Sequence, residues 1–248
     1  MKQIAIYVDQ GVDGMALKQL VKCLHRDIDL SAYQLVRLGA QQLIEEDWEK
    51  NTSLFIVPGG RDLYYHMALK GRGNEKLRNF VANGGSYLGI CAGAYFGASA
   101  IEFEKGGSLQ VLGERELALF PGKAVGPAYG PNKYSYDSLK GIEAASIKTE
   151  REEIYLYFNG GCFFSEEEKY PGIKIFARYS ELEKEPPAIV VCPFGKGKAV
   201  LSGVHFEYSA CSLPADNVYI QRILPFLEQS EKRRTSLIQE IFHILLGN

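Results

Sequence analysis

Three short stretches hold residue types whose spacing could do chemistry. The first runs from Gly84 to Ser99, GGSYLGICAGAYFGAS. Its apolar run from Ser86 to Ile90 predicts a buried strand that ends at Cys91, and a helix is expected from Ala92 to about Ala100. Small residues (Gly89, Ala92, Gly93, Ala94) crowd the cysteine. A strand that turns at once into a helix strains the turning residue and exposes its side chain. The residues two positions to either side must then be nearly bare. This is the nucleophile-elbow pattern, with Cys in place of Ser. The N–H groups that open the helix carry partial positive charge. They favour the thiolate, which is the reactive form of the side chain.

The second stretch is His205-x-Glu207, after the small-residue strand end Leu201-Ser202-Gly203. Residues two apart on an extended chain face the same side, so both side chains can address one site while Phe206 turns into the packing. A carboxylate beside an imidazole fixes its tautomer and stabilises the imidazolium. An imidazole beside a thiol takes its proton. Cys91, His205 and Glu207 thus form a nucleophile, base and orienter set. The plainer alternative is a surface His and Glu at a strand end, the commoner fate of such pairs. His25, His66 and His243 are expected on helix or loop surfaces. The third stretch is Pro58-Gly59-Gly60. A glycine pair after a strand can turn backbone N–H groups toward an anion. With the N–H of Ala92, that of Gly60 could form an oxyanion hole; the alternative is a plain strand-ending turn.

The elements that must position these groups alternate. Gln3–Val8, Tyr33–Leu38, Ser53–Pro58 and Ser86–Ile90 read as apolar strands. A helix capped by Asp13 follows the first, with Leu17, Leu20, Val21 and Leu24 on one face. Leu43–Lys50 reads as a short helical connection. A helix capped by Asn74 precedes the elbow strand and ends at Asn83-Gly84-Gly85, and Lys70-Gly71-Arg72-Gly73 before it reads as a turn. This order predicts an α/β fold with a parallel sheet and helices on both faces, whose functional groups gather at the carboxyl ends of the strands. From about 106 to 180 the texture changes to short alternating segments, namely 109–113, 143–147, 153–158 and 173–178, which predict an antiparallel β extension. Gly126–Pro131 reads as a loop. Parallel-type texture returns at 188–192 and 199–203. Two helices are expected at the end, 218–226 and 232–246, separated at Gln229-Ser230. The expected division is 1–227 for the α/β domain and 228–248 for a C-terminal helix.

Composition narrows the function classes. Of 248 residues, 46% are apolar and 23% charged, with a net charge of −2, the usage of a soluble globular chain with an ample core. Clustered basic charge for nucleic acid is missing. No run approaches the ~18 apolar residues of a membrane helix, and Met1–Asp9 does not read as a signal peptide. A cytoplasmic protein is expected. The five cysteines are scattered and form no CxxC pair, which indicates neither a disulfide framework nor a metal site. Cys23, Cys162, Cys192 and Cys211 read as small buried hydrophobes. Glu166-Glu167-Glu168 and Lys232-Arg233-Arg234 read as solvated faces or caps. No cofactor is implied.

Together, Gly89-Ile90-Cys91-Ala92-Gly93, the Pro58-Gly59-Gly60 strand end and His205-x-Glu207 resemble the class I glutamine amidotransferase fold. A narrower resemblance is to the amidotransferase-like N-terminal domain of eukaryotic-type biotin–protein ligases and its free-standing bacterial relatives. It rests on PGGRDLYY at 58–65, KGRGNEKLRNFVANGGSYLGICAGAYF at 70–96, GPAYG at 126–130, YFNGG at 157–161 and GVHFE at 203–207. It implies a flavodoxin-like core and a triad of Cys91, His205 and Glu207. Two positions depart from the amidotransferase pattern. Tyr95 stands where glutaminases have Gln, four residues after the nucleophile, and Phe206 replaces the usual Pro. The biotin-activating half of the ligases is not among these residues, so no biotin ligation is expected from this chain by itself.

Two functions follow as expectations. One is acyl-thioester chemistry on a small amide or ester, with Gly60 and Ala92 as oxyanion donors and Gly59, Tyr95, Tyr129 and Asn159 binding the substrate. The other is a non-catalytic small-molecule-binding or regulatory module, which Tyr95 favours. A biotin ligase or a synthetase is the partner that either would serve. A DJ-1-like protein also places Cys at an elbow, but its histidine commonly follows the nucleophile directly, where this chain has Ala92.

Overall fold

A computed structural model describes residues 1–247. Its larger sheet has nine strands in the order β2-β1-β3-β4-β13-β12-β11-β8-β9. These are β1 (Lys2–Tyr7), β2 (Tyr33–Leu38), β3 (Thr52–Val57), β4 (Ser86–Ile90), β8 (Glu143–Lys148), β9 (Glu153–Phe158), β11 (Lys174–Tyr179), β12 (Pro187–Phe194) and β13 (Gly197–Ser202). The five strands from β2 to β13 run parallel to their neighbours, and the remainder are antiparallel. β12, expected with parallel neighbours, pairs antiparallel with both β13 and β11. The tight Gly195–Gly197 connection explains this, because a hairpin returns the chain antiparallel whereas a parallel step needs a crossover.

Alternation along the strands sorts the core into two layers. Ala5, Tyr7, Phe55 and Val57 point to one face. They are covered there by α2 (Ala40–Glu45), α3 (Asp62–Leu69), α4 (Arg72–Ala82) and α5 (Ala92–Gly97). Ile4, Ile6, Leu54 and Ile56 point to the other, under α1 (Gly14–Asp27) and α6 (Val218–Leu246). Asp13 caps α1 as expected, its carboxylate accepting from the Ala16 N–H at 2.8 Å. Asn74 does not cap α4. Gly71 does, and Asn74 is buried inside the helix, where its amide donates to Glu116 at 2.8 Å.

The helix after Cys91 is shorter than expected. It stops at Gly97, and the chain continues as strand β5 (Ala98–Phe103). Gly97 packs so closely on Leu201 that an added Cβ would lie 2.7 Å from its side chain, so the helix is cut where it meets β13. β5 belongs to a second sheet, β10-β7-β5-β6, with β6 (Val111–Glu114), β7 (Phe120–Gly126) and β10 (Phe163–Ser165). The region expected to be an antiparallel extension is therefore shared: β8, β9 and β11 extend the main sheet antiparallel, while β6, β7 and β10 build the small sheet with β5, where β5 and β7 pair parallel.

The C-terminus is one helix rather than two. α6 runs 29 residues through Gln229-Ser230, and the boundary expected at 227 falls inside it. Ser230 is buried, and its hydroxyl accepts from the Tyr155 N–H at 3.0 Å; docking on β9 overrides the local break signal. The last residue of the expected helix, Asn248, lies outside the described residues. Among the described residues no helix is long and apolar enough to cross a membrane.

Candidate active site

β3, β4 and β13 are neighbours in the sheet, and each ends with one of the three stretches. Val57 leads into Gly59-Gly60, Ile90 into Cys91, and Ser202 into His205. The topology alone therefore gathers residues separated by more than a hundred positions at one rim.

Cys91 sits at φ 51°, ψ −105° between β4 and α5. A side chain in that region is strained by about 1–3 kcal/mol and persists where the surroundings over-determine it. They do so here. The Cys91 N–H donates to the Ser202 carbonyl at 2.8 Å, and its carbonyl accepts from Ala94 and Tyr95. A Cβ on Gly93 would lie 2.0 Å from the Val57 carbonyl, and one on Gly89 would lie 2.3 Å from the Gly93 carbonyl. The bare positions that the elbow pattern demands are thus demanded by backbone contact. Cys91 is 7% exposed, and it faces two cavities.

His205 reaches the site differently from the expectation. His205-Phe206-Glu207 is a turn, not a strand end; the single bridge at His205 is to Tyr157, with the His205 N–H donating to the Tyr157 carbonyl at 2.8 Å. The turn still pairs the two polar groups: Nδ1 lies 2.7 Å from Glu207 Oε1. Both are buried. The imidazole lies over Gly59, where an added Cβ would be 2.7 Å from His205 Cε1 and 3.6 Å from Cys91 Cβ. Gly59 therefore makes room for the ring beside the cysteine. Burial by itself would lower the pKa of His205. The Glu207 carboxylate and the Cys91 sulfur outweigh it and lift the pKa to about 10. The other oxygen of Glu207 is buried and has no partner among the described residues. Among the described residues, no protein group accepts from the N–H of Gly60 or of Ala92.

The remaining expected residues divide. The carbonyl of Asn159 lies 3.6 Å from the Cys91 sulfur, and Asn159 Oδ1 is buried with no partner. Tyr95 is buried behind the elbow, and its hydroxyl donates to the Gly160 carbonyl at 3.1 Å. Tyr129 is not at the site. Its hydroxyl bonds Glu181 and its ring packs on Phe158 and Tyr179. Cys211 also departs from expectation, being exposed; Cys23, Cys162 and Cys192 are buried, and burial raises each thiol's pKa.

Several lining residues escaped sequence reasoning. Tyr134 and Tyr136, on the loop after β7, wall the site; Arg61 stacks on Tyr136 with its guanidinium 4.1 Å from the ring centre. Tyr157 and Tyr208 stack at 4.4 Å and flank His205. Arg234, expected on a solvated face, is buried; it donates to the Phe206 carbonyl at 3.0 Å and pairs with Asp27 and Glu231. The tyrosine-rich PNKYSY stretch was the available signal for the wall. Among the described residues, no group of three or more His, Cys, Asp or Glu side chains could hold a metal ion.

Residues 2–246 match the family model described as "Biotin-protein ligase, N terminal". The chain belongs to that family. It is 41% identical over 224 residues to an uncharacterised protein of Chlamydia muridarum, covering 88% of this chain and 86% of that one. It is 35% identical over 249 residues to a biotin–protein ligase of Schizosaccharomyces pombe, covering 98% of this chain but 37% of the ligase. Among solved structures, a chain in the structure of PurLQS from Thermotoga maritima is similar with a TM-score of 0.60. That match covers 97% of this chain and 99% of the other, at 14% identity. The fold of this biotin-protein ligase N-terminal family member is class I glutamine amidotransferase-like.

Proposed function

We propose that this chain is a cysteine-nucleophile enzyme that acts through an acyl-thioester on a small amide or ester. The observation that carries the reading is the meeting of Cys91 with a buried His205–Glu207 pair at the ends of three adjacent strands. An imidazolium held by Glu207 favours a thiolate beside it. The sulfur attacks the carbonyl carbon and forms the C–S bond. The negative oxygen is held by the N–H groups of Gly60 and Ala92. The C–N or C–O bond breaks, and His205 gives its proton to the departing amine or alcohol. Water, deprotonated by His205, then splits the thioester to release the acid; an acceptor amine in place of water would make the reaction a transfer. The partner proposed for it is a biotin ligase or a synthetase.

Replacing Cys91 with Ser should abolish turnover in a screen of small amides and esters. The native thiol should be alkylated at neutral pH faster than free cysteine. Alkylation no faster than free cysteine, or wild-type turnover by the serine variant, overturns the reading.

The second reading, a non-catalytic binding module, is favoured by Tyr95. Its side chain fills the place of the glutaminase Gln, and its hydroxyl is already used by Gly160. In that case metabolite binding would survive Cys91→Ser unchanged, with no turnover by either form.

A further inference from the structure

Cys91 stands where two cavities meet, and the two differ in chemistry. The larger, about 640 Å³, is lined by His205, Asp13, Gln10 and Asp137 among others. The smaller, about 190 Å³, lies on the Ala92 side and does not include His205. Leu63, Tyr95, Phe103 and Val111 give it an apolar wall, and it shares Tyr134 and Tyr136 with the larger cavity. Its acidic group, Asp62, is held by the Arg115 guanidinium at 2.7 Å. Arg61 at its mouth is stacked on Tyr136.

We infer that the smaller cavity is the acyl pocket, and that it selects an uncharged, mainly apolar acyl group. The inference rests on the acyl-thioester reading above and gives it a substrate class. The carbon under attack has four substituents. One is the sulfur. The oxyanion points to the N–H groups of Gly60 and Ala92. The leaving group must take its proton from His205, so it departs into the larger, polar cavity. The fourth substituent, the acyl chain, is left with the space on the Ala92 side. The C–S bond forms as the C–N bond breaks, and the proton passes from His205 to the amine that leaves.

The lining decides what that chain can be. A glutamyl group would bring an α-ammonium and an α-carboxylate. A buried charge without a partner is strongly disfavoured. Asp62 is already paired with Arg115 and the Tyr95 hydroxyl with Gly160; Asn159 Oδ1 is an open acceptor in this cavity, but a neutral one that does not compensate an ammonium charge. The volume is below the ~300 Å³ at which drug-sized pockets begin, so the chain is short, of butyryl to phenylacetyl size. The polar side suits an amine leaving group, because Asp13 and Asp137 line it.

The test compares p-nitroanilides of acetyl, butyryl, phenylacetyl and γ-glutamyl groups on the full chain, with acylation of Cys91 followed by mass. Butyryl and phenylacetyl should exceed γ-glutamyl in kcat/KM by at least about tenfold, the scale on which pocket fit discriminates. Val111→Trp should lower the phenylacetyl-to-acetyl ratio by a similar factor, and the panel on the unaltered protein decides if that variant does not fold. A γ-glutamyl rate equal to or above the apolar ones overturns the inference, as does a ratio that Trp leaves unchanged in a folded variant. If Cys91 reacts rapidly with iodoacetamide but none of the anilides acylates it, the inference falls and the acyl-thioester reading stands. If Cys91 is inert to iodoacetamide, both fall.

Discussion

The nucleophile and its base are held in place by opposite means. At Cys91 the chain is fixed by what is missing from it. Gly89 and Gly93 let two backbones touch, the Cys91 carbonyl closes a turn with Ala94 and Tyr95, and the Cys91 N–H is tied to Ser202 on the adjacent β13. At His205 the chain is fixed by what other elements bring. The N–H is taken by Tyr157 on β9, the ring is flanked by Tyr157 and Tyr208, and the Phe206 carbonyl is gripped by Arg234 from α6. A site built this way has one half that is stiff by close backbone contact between neighbouring strands and one half whose placement depends on side chains docked from distant elements. Interior backbone contact leaves little room for adjustment, whereas a network can be loosened at one member.

Arg234→Met should produce the largest effect. It removes one partner of Asp27, which keeps Arg26, and one of Glu231, which keeps Ser209 and Ala210, and it leaves the Phe206 carbonyl without its donor. The three hydrogen bonds lost are each made by a buried charged group and worth about 1.5–3 kcal/mol, readable as a lowered urea midpoint. The comparison is sharpened by hydrogen exchange. The His205 amide should lose protection while the Cys91 amide keeps it; equal loss at both would mean that the two halves do not differ as described. The mirror experiment is Gly93→Ala. A methyl 2.0 Å from the Val57 carbonyl forces strand and helix apart, an overpacking cost of about 3 kcal/mol. Here Cys91 should lose protection first. A variant as stable as the native chain would show that the elbow has slack.

The same division explains what could be read from the sequence. The elbow was legible because its requirements lie within five consecutive residues. The parallel core was legible because its strands are short continuous apolar runs with helical segments between them, and they are apolar on both faces. The triad partners were identified, but the geometry joining them was not: a turn, rather than an extended strand, brings Glu207 onto Nδ1. The second sheet was half missed because β10 is three residues long and β5 begins directly at the end of α5. Arg234 looked like one of three surface charges. Its burial is decided by Asp27, 207 positions away, and no local pattern records that.

A smaller effect comes from the charge on His205. Burial opposes the imidazolium, yet Glu207 and Cys91 raise the pKa from 6.5 to about 10. The folded chain holds this proton more tightly than the unfolded one. The stability so gained is complete below about pH 6.5 and is lost as the pH rises to about 10. The stability difference between native protein and His205→Gln should therefore shrink across that window, by a few kcal/mol at most. Urea midpoints of both proteins at pH 6, 8 and 10 measure it. A difference that grows with pH would mean that burial, not Glu207, governs the ring.

The smallest predicted effect tests whether the two halves are joined. Tyr95 lies on α5, one turn beyond Cys91, and its hydroxyl donates to Gly160. Gly160 follows β9, whose Tyr157 carbonyl holds His205. Tyr95 thus ties the elbow to the strand that places the base. Tyr95→Phe keeps the ring and deletes one buried hydrogen bond, worth about 1 kcal/mol. If the tie matters for alignment, the variant's alkylation rate at Cys91 should fall although its stability barely changes. An unchanged rate with the stability loss intact would leave Tyr95 as packing, and the elbow and the base would then be positioned independently.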